Sequence, residues 1–149
     1  MAGGLVMSGA QRPVPPRSGR VYGDTVYWGA LIGAMVSVVG SVMAWLVLDN
    51  TVLDPARTFS AIWQGMGVAQ IWATAGGVQP GGHWYLYQLT KGDALAMAGL
   101  ALAVASVVPG MVWSAARLFV EGDRVYAVVA GIAAVFVCAA LVGWIALPG

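Results

Sequence analysis

Hydrophobic positions in this chain gather into three unbroken runs, not into the alternating or one-sided patterns of soluble strands and helices. Val26–Leu48, Ala94–Ala116 and Val125–Leu147 are each 23 residues long and contain no charged residue and no His. A helix of about 20 apolar residues crosses the roughly 30 Å of bilayer hydrocarbon, and a buried soluble helix is seldom this long without a charge. The pattern predicts an all-α integral membrane protein with three transmembrane helices. Charges bracket the runs: Asp24 and Asp49 at the first, Lys91, Asp93 and Arg117 at the second, and Glu121, Asp123 and Arg124 before the third. They hold the ends in water while each helix satisfies its own backbone groups. A long apolar run behind a tail of about 25 residues also differs from a cleavable signal peptide, whose apolar stretch is shorter.

Aromatic residues cluster near the ends of the runs, as amphipathic rings do at a membrane surface. Tyr22, Tyr27, Trp28, Trp113, Phe119 and Tyr126 fall at one surface. Trp45, Trp63, Trp72, Trp84, Tyr85, Tyr87 and Trp144 fall at the other. Arg12, Arg17, Arg20, Arg117 and Arg124 share one side, whereas the other holds Arg57 and Lys91. Cytoplasmic loops carry the excess of Lys and Arg. The reading is therefore a multi-pass protein of the bacterial inner membrane, with a cytoplasmic N-terminus and a periplasmic C-terminus.

Between the runs the pattern changes. Residues 1–24 form a Pro- and Arg-bearing tail with too few apolar residues to build a core, and its first 20 are expected to be disordered. The membrane domain is then 25–149, with an outer loop at 49–93. In that loop Asp54 can cap a helix, Pro55 suits its first position, and Phe59, Ile62, Trp63 and Met66 recur at helical spacing. A short extracytoplasmic helix at about Pro55–Gln64 is expected, lying on the membrane surface or packing on the tops of the spans. Gly76, Gly77 and the Pro80-Gly81-Gly82 sequence then break regular structure before His83, Trp84, Tyr85 and Tyr87.

Small residues recur every four positions, which lets helix backbones approach in a solvent that gives no hydrophobic drive for association. Gly29, Gly33, Ser37 and Ser41 form one such ridge, Gly99–Ala103 and Ser106–Gly110–Ser114 others, and Ala127–Gly131 and Ala130–Ala134–Cys138 the last. Gly29, Gly33, Ser37, Gly99 and Gly110 are the candidate packing positions. Pro109 should kink the second span by removing a donor and crowding the carbonyl of Ala105. Cys138, set among Ala and Val, reads as a small core residue.

Composition narrows the function more than it identifies it. Residues are 60% hydrophobic and 9% charged, and the net charge is +1, which excludes a nucleic-acid binder built on phosphate contacts. One Cys and one His exclude a zinc finger, a CxxC redox pair, a Cys-held iron–sulfur cluster and a bis-His haem within this chain. The spans hold no ionisable residue to relay protons or bind ions. No nucleophile–base pair or paired carboxylates can be assembled, so no catalytic residue and no metal ligand set is assigned. His83, Trp84, Tyr85 and Tyr87 are the candidate cofactor contacts, for a quinone or a lipid at a subunit interface; an ordinary packing role for His83 is the competing reading.

From Trp28 to Val142 the chain resembles an uncharacterised family of small three-span prokaryotic membrane proteins, a domain of unknown function. The resemblance is strongest over 92–141, in Pro109, Arg117 and the Asp123-Arg124-Val125-Tyr126 sequence. This chain departs from the family pattern at Met111–Val112–Trp113, where members carry an Arg closer to the proline. The resemblance implies three spans and no established activity; some members resemble companions of anion-exporter-type permeases. Together these readings lead to a non-catalytic accessory or anchoring subunit in a hetero-oligomeric membrane complex, an electron-transfer (respiratory-type) complex first. The alternative is a small partner of a permease or a component of a homo-oligomeric transporter.

Overall fold

The computed structural model describes residues 16–47, 50–77 and 81–143. The tail residues Arg12, Pro13 and Pro15, the flanking Asp49, Pro80, and Trp144 to Gly149 at the end of the third span lie outside these described residues. Within them the fold is helical: α1 (Arg17–Leu46), α2 (Pro55–Trp63), α3 (Val68–Ala75), a 3₁₀ turn (Trp84–Tyr87), α4 (Gly92–Ala105), α5 (Val107–Glu121) and α6 (Arg124–Leu141). Among the described residues three helical stretches are long and apolar enough to cross a membrane: α1, α4 with α5, and α6.

The stretches differ from the apolar runs at their ends, and each difference has a local cause. α1 begins at Arg17 rather than Val26, so the expected tail is helical from Arg17 to Asp24. Once nucleated, a helix propagates cheaply through Arg20 and Tyr22, and Ser18 in its first turn is buried. At 30 residues it is about 45 Å long, more than the hydrocarbon requires. α5 continues past Ala116 to Glu121, which shortens the expected 117–124 loop to a turn at Gly122–Asp123. Gly122 has φ +94°; the Asp123 amide donates to the Leu118 carbonyl at 3.0 Å and the Gly122 amide to Phe119 at 3.3 Å. This is the glycine-terminated stop that satisfies the last carbonyls of a helix. α6 follows at once and reaches Leu141.

The second stretch breaks where the proline sequence predicts. Helical geometry lapses at Ser106, three residues before Pro109, whose ring obstructs the preceding turn. The Ser106 hydroxyl donates to the Ala103 carbonyl at 2.7 Å, within its own helix.

α1 runs along both α4 and α5, while α6 packs on α5. The interior is made of small residues: Ala94, Ala127, Ala134, Gly33, Gly40, Gly92, Gly99 and Gly110 are buried, and among the described residues no large side chain is fully so. The perimeter carries the bulk, with Ile32, Met35, Val38, Leu100, Val104, Val125 and Val135 exposed.

In the outer loop Asp54 accepts from the amides of Ala56 (2.9 Å) and Arg57 (3.2 Å), capping α2 as its sequence position predicts. α2 ends with Gly65 at φ +69°, and the Met66 amide returns to the Ala61 carbonyl at 3.1 Å. It packs on α3 through the buried Ala61. Phe59, Ile62 and Trp63 stay exposed, so the apolar stripe of α2 does not rest on the three long helical stretches. α3 is an element the glycine-interrupted pattern concealed. Its start at Gly67 is held by the Gln70 side chain, which accepts from the Gly67 amide at 3.3 Å.

Candidate functional site

Two features stand out: a tightly closed seam between α1 and α4, and an open groove on another side of α4.

The seam is antiparallel and built from glycine on both helices. A Cβ added to Gly33 would lie 2.6 Å from the Ala103 nitrogen and 2.6 Å from the Gly99 carbonyl oxygen. One added to Gly99 would meet the backbone of Ser37 and Gly33, one on Gly40 that of Ala96 and Gly92, and one on Gly92 that of Ala44 and Gly40. Backbone therefore touches backbone at four levels, where only a hydrogen fits. Gly29 abuts the Ser106 side chain, and Gly110 faces Val26 and Tyr22 across the α1–α5 contact, its Cβ position 3.1 Å from Val26 Cγ2.

The structure thus brings Gly29, Gly33, Ser37, Gly99 and Gly110 onto helix contacts. It corrects the period of the ridge. Ser41 is exposed, its hydroxyl turned back to the Ser37 carbonyl at 2.8 Å, and Gly40 takes the contact position instead. Gly33 and Gly40, like Gly92 and Gly99, are seven apart. Two helices that stay in contact over several turns repeat their contacts near seven, and a strict spacing of four drifts off the seam. Gly40 and Gly92 are therefore the packing residues missed by counting in fours. On α6 the ridge is also partial. Ala127 and Ala134 are buried, whereas Gly131 has no neighbour within 4 Å of an added Cβ. Cys138 is exposed rather than in a core.

Asp93, seen in the sequence only as a flank, anchors the outer loop. Its carboxylate accepts from the amides of Val52 (3.0 and 2.8 Å) and Leu53 (3.1 Å) and from its neighbour Ala94 (2.9 Å). The Gly92 amide donates to the Asn50 carbonyl at 2.8 Å. A carboxylate in the first turn of α4 also meets the positive end of the helix dipole. The loop thus starts at a fixed point on the mouth of the seam.

The groove, about 600 Å³, lies along the side of α4 that carries Leu95, Ala98, Ala101, Leu102 and Ala105, with Val36 of α1 at its edge. Leu141 and Val142 at the end of α6 form the opposite wall, and His83, Tyr85, Leu86 and Leu89 form the rim. Among the described residues its only polar side chains are those of His83 and Tyr85. His83 Nδ1 and the Tyr85 hydroxyl are 3.0 Å apart and share a proton; the rings meet edge to face at 5.9 Å. His83 has φ +57° and ψ +20°, a left-handed backbone that a side-chain-bearing residue adopts at a cost.

The expected aromatic quartet divides. His83 and Tyr85 border the groove. Trp84 turns away and meets Trp72 of α3 edge to face at 5.3 Å, tying the turn to the outer hairpin. Tyr87 is 89% exposed and does not line the groove. The far wall was illegible from the local sequence, because Leu141 lies more than fifty positions from His83.

An uncharacterised protein of Archaeoglobus fulgidus is 33% identical over 98 residues, a stretch that spans 64% of this chain and 63% of the relative. No solved structure matches the chain. A family model, by contrast, covers nearly the whole helical region, and the chain belongs to an uncharacterised family, whose function is unknown, through residues 18–144.

Proposed function

We propose that this chain is an integral subunit of a prokaryotic cytoplasmic membrane that works by packing rather than by catalysis, as an accessory or anchor to a larger electron-transfer complex. In this reading Arg17, Arg20, Arg117 and Arg124 lie in the cytoplasm and the outer loop on the opposite side, which the excess of Lys and Arg in cytoplasmic loops supports. The observation that carries the reading is the inverted distribution of size. Small residues fill the interior and large aliphatic ones face outward along α1, α4 and α6. In water such a belt would be a patch far beyond what a soluble monomer exposes; among lipid tails and partner helices it costs nothing. The same belt offers long faces to other membrane subunits. The aromatic outer loop, which holds Trp72 against Trp84 and His83 against Tyr85, suits a cover over a quinone-type site or a dock for a redox subunit.

The test is purification of the full chain from its native membrane in mild detergent, followed by mass-spectrometric identification of what accompanies it. Haem- or iron–sulfur-bearing subunits in fixed ratio are the expected outcome. A permease as sole companion would replace the electron-transfer assignment with the transport one. A monodisperse, solitary chain would end the accessory reading.

A further inference from the structure

We propose that the groove beside α4 is a lipid site. It holds one hydrocarbon chain of a bilayer phospholipid, with an oxygen of the headgroup region bound by the His83–Tyr85 pair. The inference rests on the membrane reading above and adds the ligand.

Length is the first argument. The groove runs along α4 from Leu95 to Ala105, about 15 Å at 1.5 Å per residue. That is half of the roughly 30 Å hydrocarbon layer, the depth of one leaflet. It begins next to the charged Lys91–Asp93 end of the span and stops where the helix breaks at Ser106. An acyl chain entering from the near surface would fill it and end at mid-membrane.

Chemistry is the second argument. Below the rim every lining side chain among the described residues is aliphatic, so the occupant's body is apolar. At the rim the imidazole and phenol are hydrogen-bonded to each other. If Nε2 carries the imidazole proton, the Tyr85 hydroxyl donates to Nδ1 and Nε2–H faces outward. If Nδ1 carries it, Nδ1 donates to Tyr85 and the phenol proton is free. Either tautomer leaves one outward donor beside the groove, which suits an ester or phosphate oxygen. The left-handed backbone of His83 is the third argument. Such strain persists where a side chain must be held in place, and here it sets the imidazole on the rim. Finally, the groove is open along its side, so a lipid enters laterally from the leaflet.

The experiment uses the full chain in nanodiscs of phosphatidylglycerol, exchanged into mild detergent and examined by native mass spectrometry. Wild type should retain one lipid. Ala98→Trp fills the groove and should lower retention about tenfold, the equivalent of about 1.4 kcal/mol. Tyr85→Phe removes the hydroxyl without disturbing the helices and should lower it about fivefold, as loss of one hydrogen bond does. His83→Asn tolerates the left-handed backbone, so a loss there reports the imidazole and not strain. Retention equal to wild type in both Ala98→Trp and Tyr85→Phe overturns the proposal, as does preferential retention of ubiquinone added in competition. Should Ala98→Trp fail to fold, by helical circular dichroism, Tyr85→Phe decides alone. A chain that inserts in the membrane but retains no lipid sinks the groove only; a chain recovered without detergent sinks the membrane reading as well.

Discussion

Two sides of one helix contrast sharply. On one side of α4, Gly92 and Gly99 meet the backbone of α1. On another, Leu95 and Leu102, spaced by the same seven residues, line an open groove. Period and helix are identical; only side-chain size differs. Where the repeated residue has no Cβ, the neighbour closes onto the backbone and dispersion acts over the whole contact. Where it is leucine, the neighbour stands off. The Ser106 break adds to the difference, since α6 packs on α5 while α4 follows α1.

Substitutions at adjacent positions probe this contrast directly. Gly99→Leu, on the closed side, should have the largest effect: its Cβ already collides with Ser37 and Gly33 backbone, and overpacking costs about 1–3 kcal/mol or more. We expect a loss of thermal stability in detergent and a change in co-purifying partners, and the double change Gly29→Leu with Gly33→Leu should do the same. Unchanged melting would mean the seam is not the stabilising contact. Asp93→Ala comes next. It leaves the Val52 and Leu53 amides without their charged acceptor, worth about 1.5–3 kcal/mol, and should make residues 50–77 sensitive to protease before the spans melt. Gly131→Ala should stabilise by about 0.5–1 kcal/mol, because nothing stands near the added methyl; destabilisation there would reveal a partner helix packed on that face of α6. Ala98→Leu, one residue from Gly99 but on the open side, should change thermal stability by no more than about 0.5 kcal/mol. A large effect would show that the groove is closed in the folded protein.

The contrast also explains what could be read from the chain alone. The three long helical stretches were legible because an apolar run of that length is dictated by local hydropathy, and the Asp54–Pro55 start of α2 because a cap is chemistry within four residues. The seam was half legible. Gly29, Gly33 and Ser37 lie on it, but counting in fours led to Ser41 and past Gly40, since contact period depends on how two helices cross. α3 was hidden because Gly65, Gly67, Gly76 and Gly77 dilute an eight-residue helix held by the Asp54 amide on the Ala75 carbonyl (3.0 Å) and by Trp84. The His83–Tyr85 pair was visible as a cluster. The groove it borders was not, because its walls come from helices far apart in sequence.

The glycine seam carries an implication for how this chain tolerates change over evolutionary time. In a water-soluble domain the bulky interior residues are the ones that resist replacement. Here the bulky residues lie on the perimeter, where almost any aliphatic shape fits, while Gly33, Gly40, Gly92 and Gly99 admit no heavier atom. Drift should therefore run fastest through the largest side chains and stall at the smallest, so that descendants keep their glycines while exchanging Val, Ile, Leu and Met freely.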